Sequence, residues 1–119
     1  MTETGATKVI EIRSYVLKSG TRDRLHALLG TEILPLLSEA GINVVRYGPS
    51  LHDETSYVLI RAFESMDQLQ EQEDRFYGSD IWKNEYRETV LGMIESWRDI
   101  VIEVDESAIA ALASLADTT

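Results

Sequence analysis

Apolar and polar residues alternate along four short segments of this chain, and two longer segments repeat their apolar residues at helical spacing. Alternation with a period of two is typical of a strand, whereas apolar residues three or four positions apart indicate an amphipathic helix. The predicted strands cover residues 8–17, 42–50, 55–64 and 94–104. With one helical block after the first strand and another after the third, the order is βαββαβ. This order predicts an α+β domain.

Local signals delimit the first helical block. Thr21 is placed to cap its start, and Gly41 follows its last apolar residue, where glycine commonly ends a helix. Pro35 lies inside the pattern and predicts a kink, because proline lacks the backbone N–H that a helix needs.

The second helical block covers about residues 66–91, and Ser65 or Asp67 can cap it. The sequence Gly-Ser-Asp at residues 78–80 interrupts the block and divides it into two pieces. A run of charged residues in the first piece predicts a face turned to solvent: Glu71, Glu73, Asp74 and Arg75.

The two faces of the predicted sheet differ in chemistry. One, here the aliphatic face, carries Ile10, Ile12, Val58, Ile60, Ala62, Ile100 and Ile102. The other, here the mixed face, carries Glu11, Arg13, Tyr15, Tyr57, Arg61 and Trp97. We expect the helices to pack on the aliphatic face, so that the mixed face needs other cover. This predicts a homodimer that encloses a small-molecule pocket, although a register shift of one residue would exchange the two faces.

Composition narrows the function classes. The 119 residues include 21 acidic and 11 basic side chains, and the net charge of −10 disfavours nucleic acid and anionic membrane surfaces as partners. The absence of cysteine excludes disulfides and thiolate chemistry. We find no apolar run of membrane-spanning length and no signal peptide, and we expect a cytoplasmic protein.

Several short motifs resemble the NIPSNAP family of domains. They are EIRSYVLKSG at residues 11–20, ILPLL at 33–37 followed by Gly41 and Ile42, SDIW at 79–82 followed by Tyr86 and Arg87, and IESW at 94–97. The resemblance covers residues 8–104, which we take as the domain, with a tail at 1–7 and a helical arm at 105–119. It implies a ferredoxin-like dimeric α+β barrel. Relatives in that superfamily include cofactor-free oxygenases, haem-degrading enzymes, isomerases and dehydratases acting on small hydrophobic molecules.

The mixed face supplies the main candidate site. Arg13 or Arg61 could bind a carboxylate or stabilise an enolate, and Glu11 or Tyr15 could transfer a proton. Tyr57 is a further candidate contact, and Trp82 and Trp97 could form apolar walls. In the alternative interpretation Glu11 pairs with Arg13 or Arg61 across the dimer interface and only compensates buried charge.

The chain contains two histidines that could act in catalysis or bind a metal, His26 and His52. His26 in the first helix could act as a base, since its ordinary pKa lies near neutrality, or it could lie inert on a helix flank. The two histidines are far apart in sequence, and we expect no metal site. The second helical block contains no histidine that could be the axial ligand of the haem-degrading relatives, so we expect no haem and no other cofactor.

Two hypotheses for function remain open. One is a homodimeric, cofactor-independent enzyme of oxygenase, isomerase or dehydratase type, acting on a small, partly apolar anion or carbonyl compound. The other is a non-catalytic binding or interaction module in which the mixed face serves dimerisation. The sequence does not decide whether the protein is an enzyme.

Overall fold

Four antiparallel strands form one sheet, with the two helical blocks on one face and the last helix on the other, in the computed structural model, which describes residues 7–115. The strands are β1 (Thr7–Leu17), β2 (Asn43–Pro49), β3 (Ser56–Phe63) and β4 (Ile94–Asp105), in the spatial order β2-β3-β1-β4. The helices are α1 (Arg22–Leu28), α2 (Leu34–Glu39), α3 (Met66–Tyr77), α4 (Arg87–Leu91) and α5 (Glu106–Leu115). The predicted order βαββαβ is confirmed, and α5 follows it.

The first helical block contains a π-helical turn, Leu29–Ile33, between α1 and α2. Pro35 is the second residue after this turn, so the helix departs from regular geometry next to the position where the proline removes a backbone donor. Gly41 ends the block with a φ of +83°, a left-handed conformation that glycine adopts without a steric penalty. Thr21 precedes α1, but its hydroxyl donates to the carbonyl of Lys18 at 2.7 Å and makes no capping bond.

The second helical block begins with a side-chain cap. The Oγ atom of Ser65 accepts a hydrogen bond from the backbone N–H of Gln68 at 3.1 Å, and α3 starts at Met66. The helix ends at Tyr77, and a second π-helical turn, Trp82–Tyr86, leads into α4. The predicted interruption at residues 78–80 therefore separates α3 from the π turn.

The helices pack on the mixed face of the sheet, so the predicted orientation is wrong. Leu17, Leu59 and Phe63 share this face with the charged and aromatic residues, and they pack against the helices. The helical side of this core is formed by Leu25, Leu29, Ile33, Leu37, Leu69, Phe76, Trp82 and Val90. On the mixed face, large apolar side chains and a buried ion pair together fill the space between sheet and helices. The aliphatic face has no aromatic side chains that could fill such a space.

The aliphatic face is covered only in part. Ile109 and Leu112 of α5 pack against a small cluster of Ile10, Val45 and Ala62. Farther along the same face, Ile100 and Ile102 of the edge strand β4 are 52% and 44% exposed. Residues 7–115 thus leave a strip of aliphatic side chains without cover.

The predicted terminal segments lie partly outside the described residues, namely residues 1–6 of the tail and 116–119 of the arm. Within residues 7–115, no helix is long and apolar enough to cross a membrane.

Candidate functional site

A cavity of about 300 Å³ lies between the mixed face of the sheet and the second helical block. It is lined by Arg13, Tyr15, Tyr77, Trp82, Arg87, Val90, Leu91, Ile94 and Trp97. Small-molecule sites are commonly of this size, mostly apolar, and carry a few polar groups. This cavity therefore has the composition of a ligand site.

Four lining residues come from the sheet, Arg13, Tyr15, Ile94 and Trp97, and strand register places three of them together. Arg13 and Tyr15 are two positions apart on β1 and share one face, and Tyr15 lies opposite Trp97 of β4. Tyr15 is buried, and this burial raises the pKa of its hydroxyl to about 12. Tyr15 is accordingly a neutral phenol at physiological pH, while the half-exposed Trp97 forms an outer wall.

The π-helical turn brings the two principal helical residues of the cavity together. The backbone N–H of Arg87 donates to the carbonyl of Trp82, five residues earlier. In a regular α-helix, residues five apart would point about 140° away from each other. The wider turn lets Trp82 and Arg87 line the same cavity, and π turns of this kind are frequent at functional sites.

A buried ion cluster adjoins the cavity. Arg61 donates to the Oε1 atom of Glu11 from Nε at 3.0 Å and from Nη2 at 2.6 Å. Arg13 donates to the carboxylate of Asp99 from Nε at 2.6 Å and from Nη2 at 2.9 Å. Both guanidinium groups also donate to the Tyr77 hydroxyl, Arg61 at 2.7 Å and Arg13 at 3.3 Å. Charge-assisted bonds of this kind hold these side chains in fixed positions.

Glu73 belongs to this cluster, and its predicted exposure to solvent is wrong. Its side chain is 13% exposed, and its Oε2 atom lies 3.1 Å from Nη2 of Arg61. That oxygen is buried and has no hydrogen-bond partner among the described residues. Burial, and then a hydrogen bond with Glu11, raise the pKa of Glu73 to about 8. Helical spacing could have revealed it, since Glu73 lies four residues after Leu69 and four before Tyr77 on α3.

Solved structures with the same fold include three informative relatives. A NIPSNAP family protein of unknown function from Agrobacterium tumefaciens has a TM-score of 0.76 and 23% identity, over 88% of this chain and 95% of that chain. The fold is that of the NIPSNAP family. A second NIPSNAP protein from the same organism has a TM-score of 0.77 and 14% identity, over 92% and 96% of the two chains.

A more distant neighbour of this NIPSNAP-like chain is a candidate antibiotic biosynthesis monooxygenase from Nitrosomonas europaea. Its TM-score is 0.60 at 15% identity, over 79% of this chain and 95% of that chain. No protein-family model matches the sequence, and no curated protein matches it either. The predicted fold class, a ferredoxin-like α+β fold with an antiparallel sheet, is confirmed, while dimerisation of this chain stays a prediction.

The NIPSNAP-like fold separates the predicted site residues into three groups. Arg13, Tyr15, Trp82 and Trp97 line the cavity. Glu11 and Arg61 are fully buried and do not line it, and they pair within one chain and not across a dimer interface as the alternative interpretation proposed. Their side chains can act on a ligand only through the residues between.

Tyr57 and His26 form the third group. The Tyr57 hydroxyl lies 2.6 Å from Nδ1 of His26, on the side of the sheet that α1 covers, and neither residue lines the cavity. His26 is exposed on a helix flank and also packs against the Tyr47 ring. The structure therefore does not bring His26 together with the cavity residues.

Tyr77 and Arg87 are cavity residues outside the predicted set of site residues, although the aromatic residues around the helix break, Tyr77 among them, were candidates for the cavity mouth. Arg87 belongs to the Tyr86–Arg87 pair of the NIPSNAP-like motifs, and this motif could have identified it as a candidate site residue. Within residues 7–115, no group of three or more metal-ligating side chains is placed to bind an ion. The polar groups of the cavity are thus two phenols and two guanidinium groups, together with the indole N–H groups of Trp82 and Trp97.

Proposed function

We propose that this chain binds a small, partly apolar anion or carbonyl compound in the cavity between the mixed face and the second helical block. The observation that carries this proposal is the lining of the cavity, in which Trp82 and Trp97 provide aromatic walls beside Arg13 and Arg87. Aromatic walls favour a ligand with an apolar body, and guanidinium groups favour an oxygen-bearing polar end.

The two guanidinium groups differ in the charge that they offer. Arg13 is already paired with Asp99 and lies 3.4 Å from Glu11, so much of its charge is compensated. Arg87 forms no ion pair within the described part of the chain. Because the chain as a whole carries a charge of −10, an anionic ligand needs such a local cation to approach the cavity.

Proton transfer in the cavity would fall to a phenol. Arginine side chains stay protonated, and the lining contains neither a carboxylate nor a histidine. Tyr15, a predicted proton-transfer residue, is therefore retained as a candidate for a cofactor-independent reaction, while Glu11 and His26 are not placed to contact a ligand there. A non-catalytic binding protein would use the same cavity without a proton-transfer step.

We further propose that two copies of the chain associate through their aliphatic faces. The exposed strip that includes Ile100, Ile102 and Val16 is mainly aliphatic, with Arg98 opposite Ser14 as its charged member, so a second copy of itself is a fitting partner. Among residues 7–115, β4 is an edge strand, and its outer edge adds a row of backbone groups without a partner strand beside this strip. Because the cavity lies on the other face, such a homodimer leaves one open ligand site in each subunit.

The test is a thermal-shift screen against small carboxylates, phenols, enones and quinones. A compound that binds only the folded protein raises Tm by mass action. We expect at least one compound to raise Tm of the wild type and of an Arg24→Gln control, but not of Arg87→Gln or Trp97→Ala. Arg24 is an exposed arginine on α1, away from the cavity.

Two outcomes would contradict the proposal. A Tm shift that persists in both cavity variants would place the ligand elsewhere on the protein. A complete lack of shifts across these four compound classes would show that the cavity does not take such ligands.

A further inference from the structure

The Tyr77 hydroxyl links the ion cluster to the cavity. Tyr77 is the last residue of α3 and lines the cavity, as Arg13 does, whereas Arg61 lies behind it and is fully buried. The hydroxyl oxygen receives hydrogen bonds from Nη1 of Arg61 at 2.7 Å and from Nη1 of Arg13 at 3.3 Å. One phenol oxygen thus has two cationic donors.

This arrangement fixes the direction of the remaining hydrogen bond. A phenolic hydroxyl has one proton to donate, and a guanidinium group has donors only. With both arginines donating to the oxygen, the Tyr77 proton has to go to an acceptor. None of the described carboxylates, carbonyls or hydroxyls accepts it. A buried or half-buried donor without an acceptor is unfavourable, and a ligand in the cavity could supply the missing acceptor.

The two arginines are themselves held in place. Glu11 accepts from two nitrogens of Arg61, and Asp99 accepts from two nitrogens of Arg13. Because these carboxylates fix both guanidinium groups, the arginines cannot readily turn away from the Tyr77 oxygen. The hydroxyl is therefore oriented before any ligand arrives, which is the arrangement that lowers the ordering cost of binding.

We propose that the Tyr77 hydroxyl is the hydrogen-bond donor that orients the ligand, and that the ligand presents a carbonyl or carboxylate oxygen to it. This inference rests on the proposed function of the cavity, and it adds that the recognised group of the ligand is a hydrogen-bond acceptor. Negative charge that develops on such an oxygen, as in an enolate, is stabilised by the same bond, because two cations polarise the phenol.

Two probes of the same shape separate this role from simple occupation of the cavity. Acetophenone carries a carbonyl oxygen where α-methylstyrene carries a methylene group, and both have an aromatic body suited to Trp82 and Trp97. We expect the wild type to bind acetophenone about tenfold more tightly, the gain of one well-formed hydrogen bond. Titrations followed by protein NMR give both Kd values.

The variant Tyr77→Phe should remove the preference and leave α-methylstyrene bound within about twofold of the wild-type Kd. Tyr86→Phe is the matched control, since the Tyr86 hydroxyl donates to Glu32 on the protein surface and lines no part of the cavity. This control should keep the tenfold preference. A purely structural role of Tyr77 would instead change the two Kd values by the same factor.

Because Tyr77→Phe leaves two arginine donors without an acceptor, a wild-type measurement accompanies it. The carbonyl stretch of bound acetophenone should move to lower wavenumber than in alkane solvent if it accepts a hydrogen bond. Equal binding of both probes, or an alkane-like stretch, would overturn the role of Tyr77 while supporting the cavity as a ligand site. Failure of both probes to bind would overturn this inference, and a lack of shifts across the compound screen as well would overturn the proposed function.

Discussion

Glu11 and Arg61 are fully buried on the mixed face of the sheet, while Ile100 and Ile102 are about half exposed on the aliphatic face. The two helical blocks thus cover the face that carries the buried ion pair, and part of the aliphatic face is open among the described residues. The mixed face contains the larger apolar side chains, and its charges are matched by partners in β1, β3 and α3. The charges of the aliphatic face, such as Arg98 of β4, lie at its exposed part and form no buried ion pair among the described residues.

The difference between the two faces indicates a division of roles. A buried ion pair adds little net stability compared with apolar residues of similar volume, but it holds side chains in fixed positions. In this protein it holds the residues beside the cavity. The exposed aliphatic strip has no ion pairs that fix its side chains, but its apolar surface suits association with a similar surface.

The strongest test of the mixed face is Arg61→Leu. This variant leaves the Glu11 carboxylate buried without its main cationic partner, and we expect it to lower the free energy of unfolding by about 3–5 kcal/mol. Urea unfolding measures the change. The exposed Arg24→Leu is the matched control and should change stability by less than about 0.5 kcal/mol.

A double variant sharpens this test. Glu11→Leu combined with Arg61→Leu should be less destabilising than Arg61→Leu alone, because it removes the stranded charge of Glu11 together with its partner. Equal or additive losses would show that the pair contributes by packing alone.

The second prediction concerns the aliphatic face. Ile100→Glu puts a charge on the exposed strip, and we expect it to weaken dimerisation about 100-fold or more, because an unpaired charge would be buried between the two copies. Analytical ultracentrifugation over a concentration series measures the association. The same change in Leu51→Glu, at a fully exposed position of the β2–β3 turn, should leave the dimer intact.

Ligand binding in this variant provides a further comparison. If the roles of the two faces are separate, a monomeric Ile100→Glu protein keeps the ligand response of the cavity. A wild-type protein that is monomeric at all concentrations would contradict the proposed association.

The smallest expected effect is a pH dependence that arises from Glu73. Its pKa rises from 4.5 to about 8 on folding, so the folded protein holds a proton that the unfolded chain releases. The stabilising contribution of this proton is complete below pH 4.5 and is lost as the pH rises through about 8. Glu73→Gln, which cannot titrate, should therefore gain stability relative to the wild type over this range.

Unfolding curves at several pH values measure this difference. Glu71→Gln, on the exposed side of the same helix, is the control and should follow the wild type at every pH. Parallel curves for Glu73→Gln and the wild type would show that the Glu73 carboxyl titrates like an exposed one.

The order of strands and helices could be predicted from the sequence because its signals are local. Alternation placed Arg13, Tyr15 and Trp97 on one face of the sheet, and these residues do lie together at the cavity. Gly41 and Ser65 marked helix ends through their own backbone and side-chain chemistry. Such signals depend on neighbours within a few residues, so they can be interpreted without knowledge of the tertiary structure.

The tertiary structure alone decided which face meets the helices and which residues surround the cavity. Both faces of the sheet were apolar enough to pack against helices. Which face the helices cover depended on the size of side chains far apart in sequence. It also depended on contacts between Glu11, Arg61 and Glu73, which come from three separate elements. Arg87 joins the cavity through a π turn, which no local preference specifies. The elements and the two faces of the sheet were determined by the sequence itself, because their periodicity is short-range, whereas the burial of charge depends on long-range pairing.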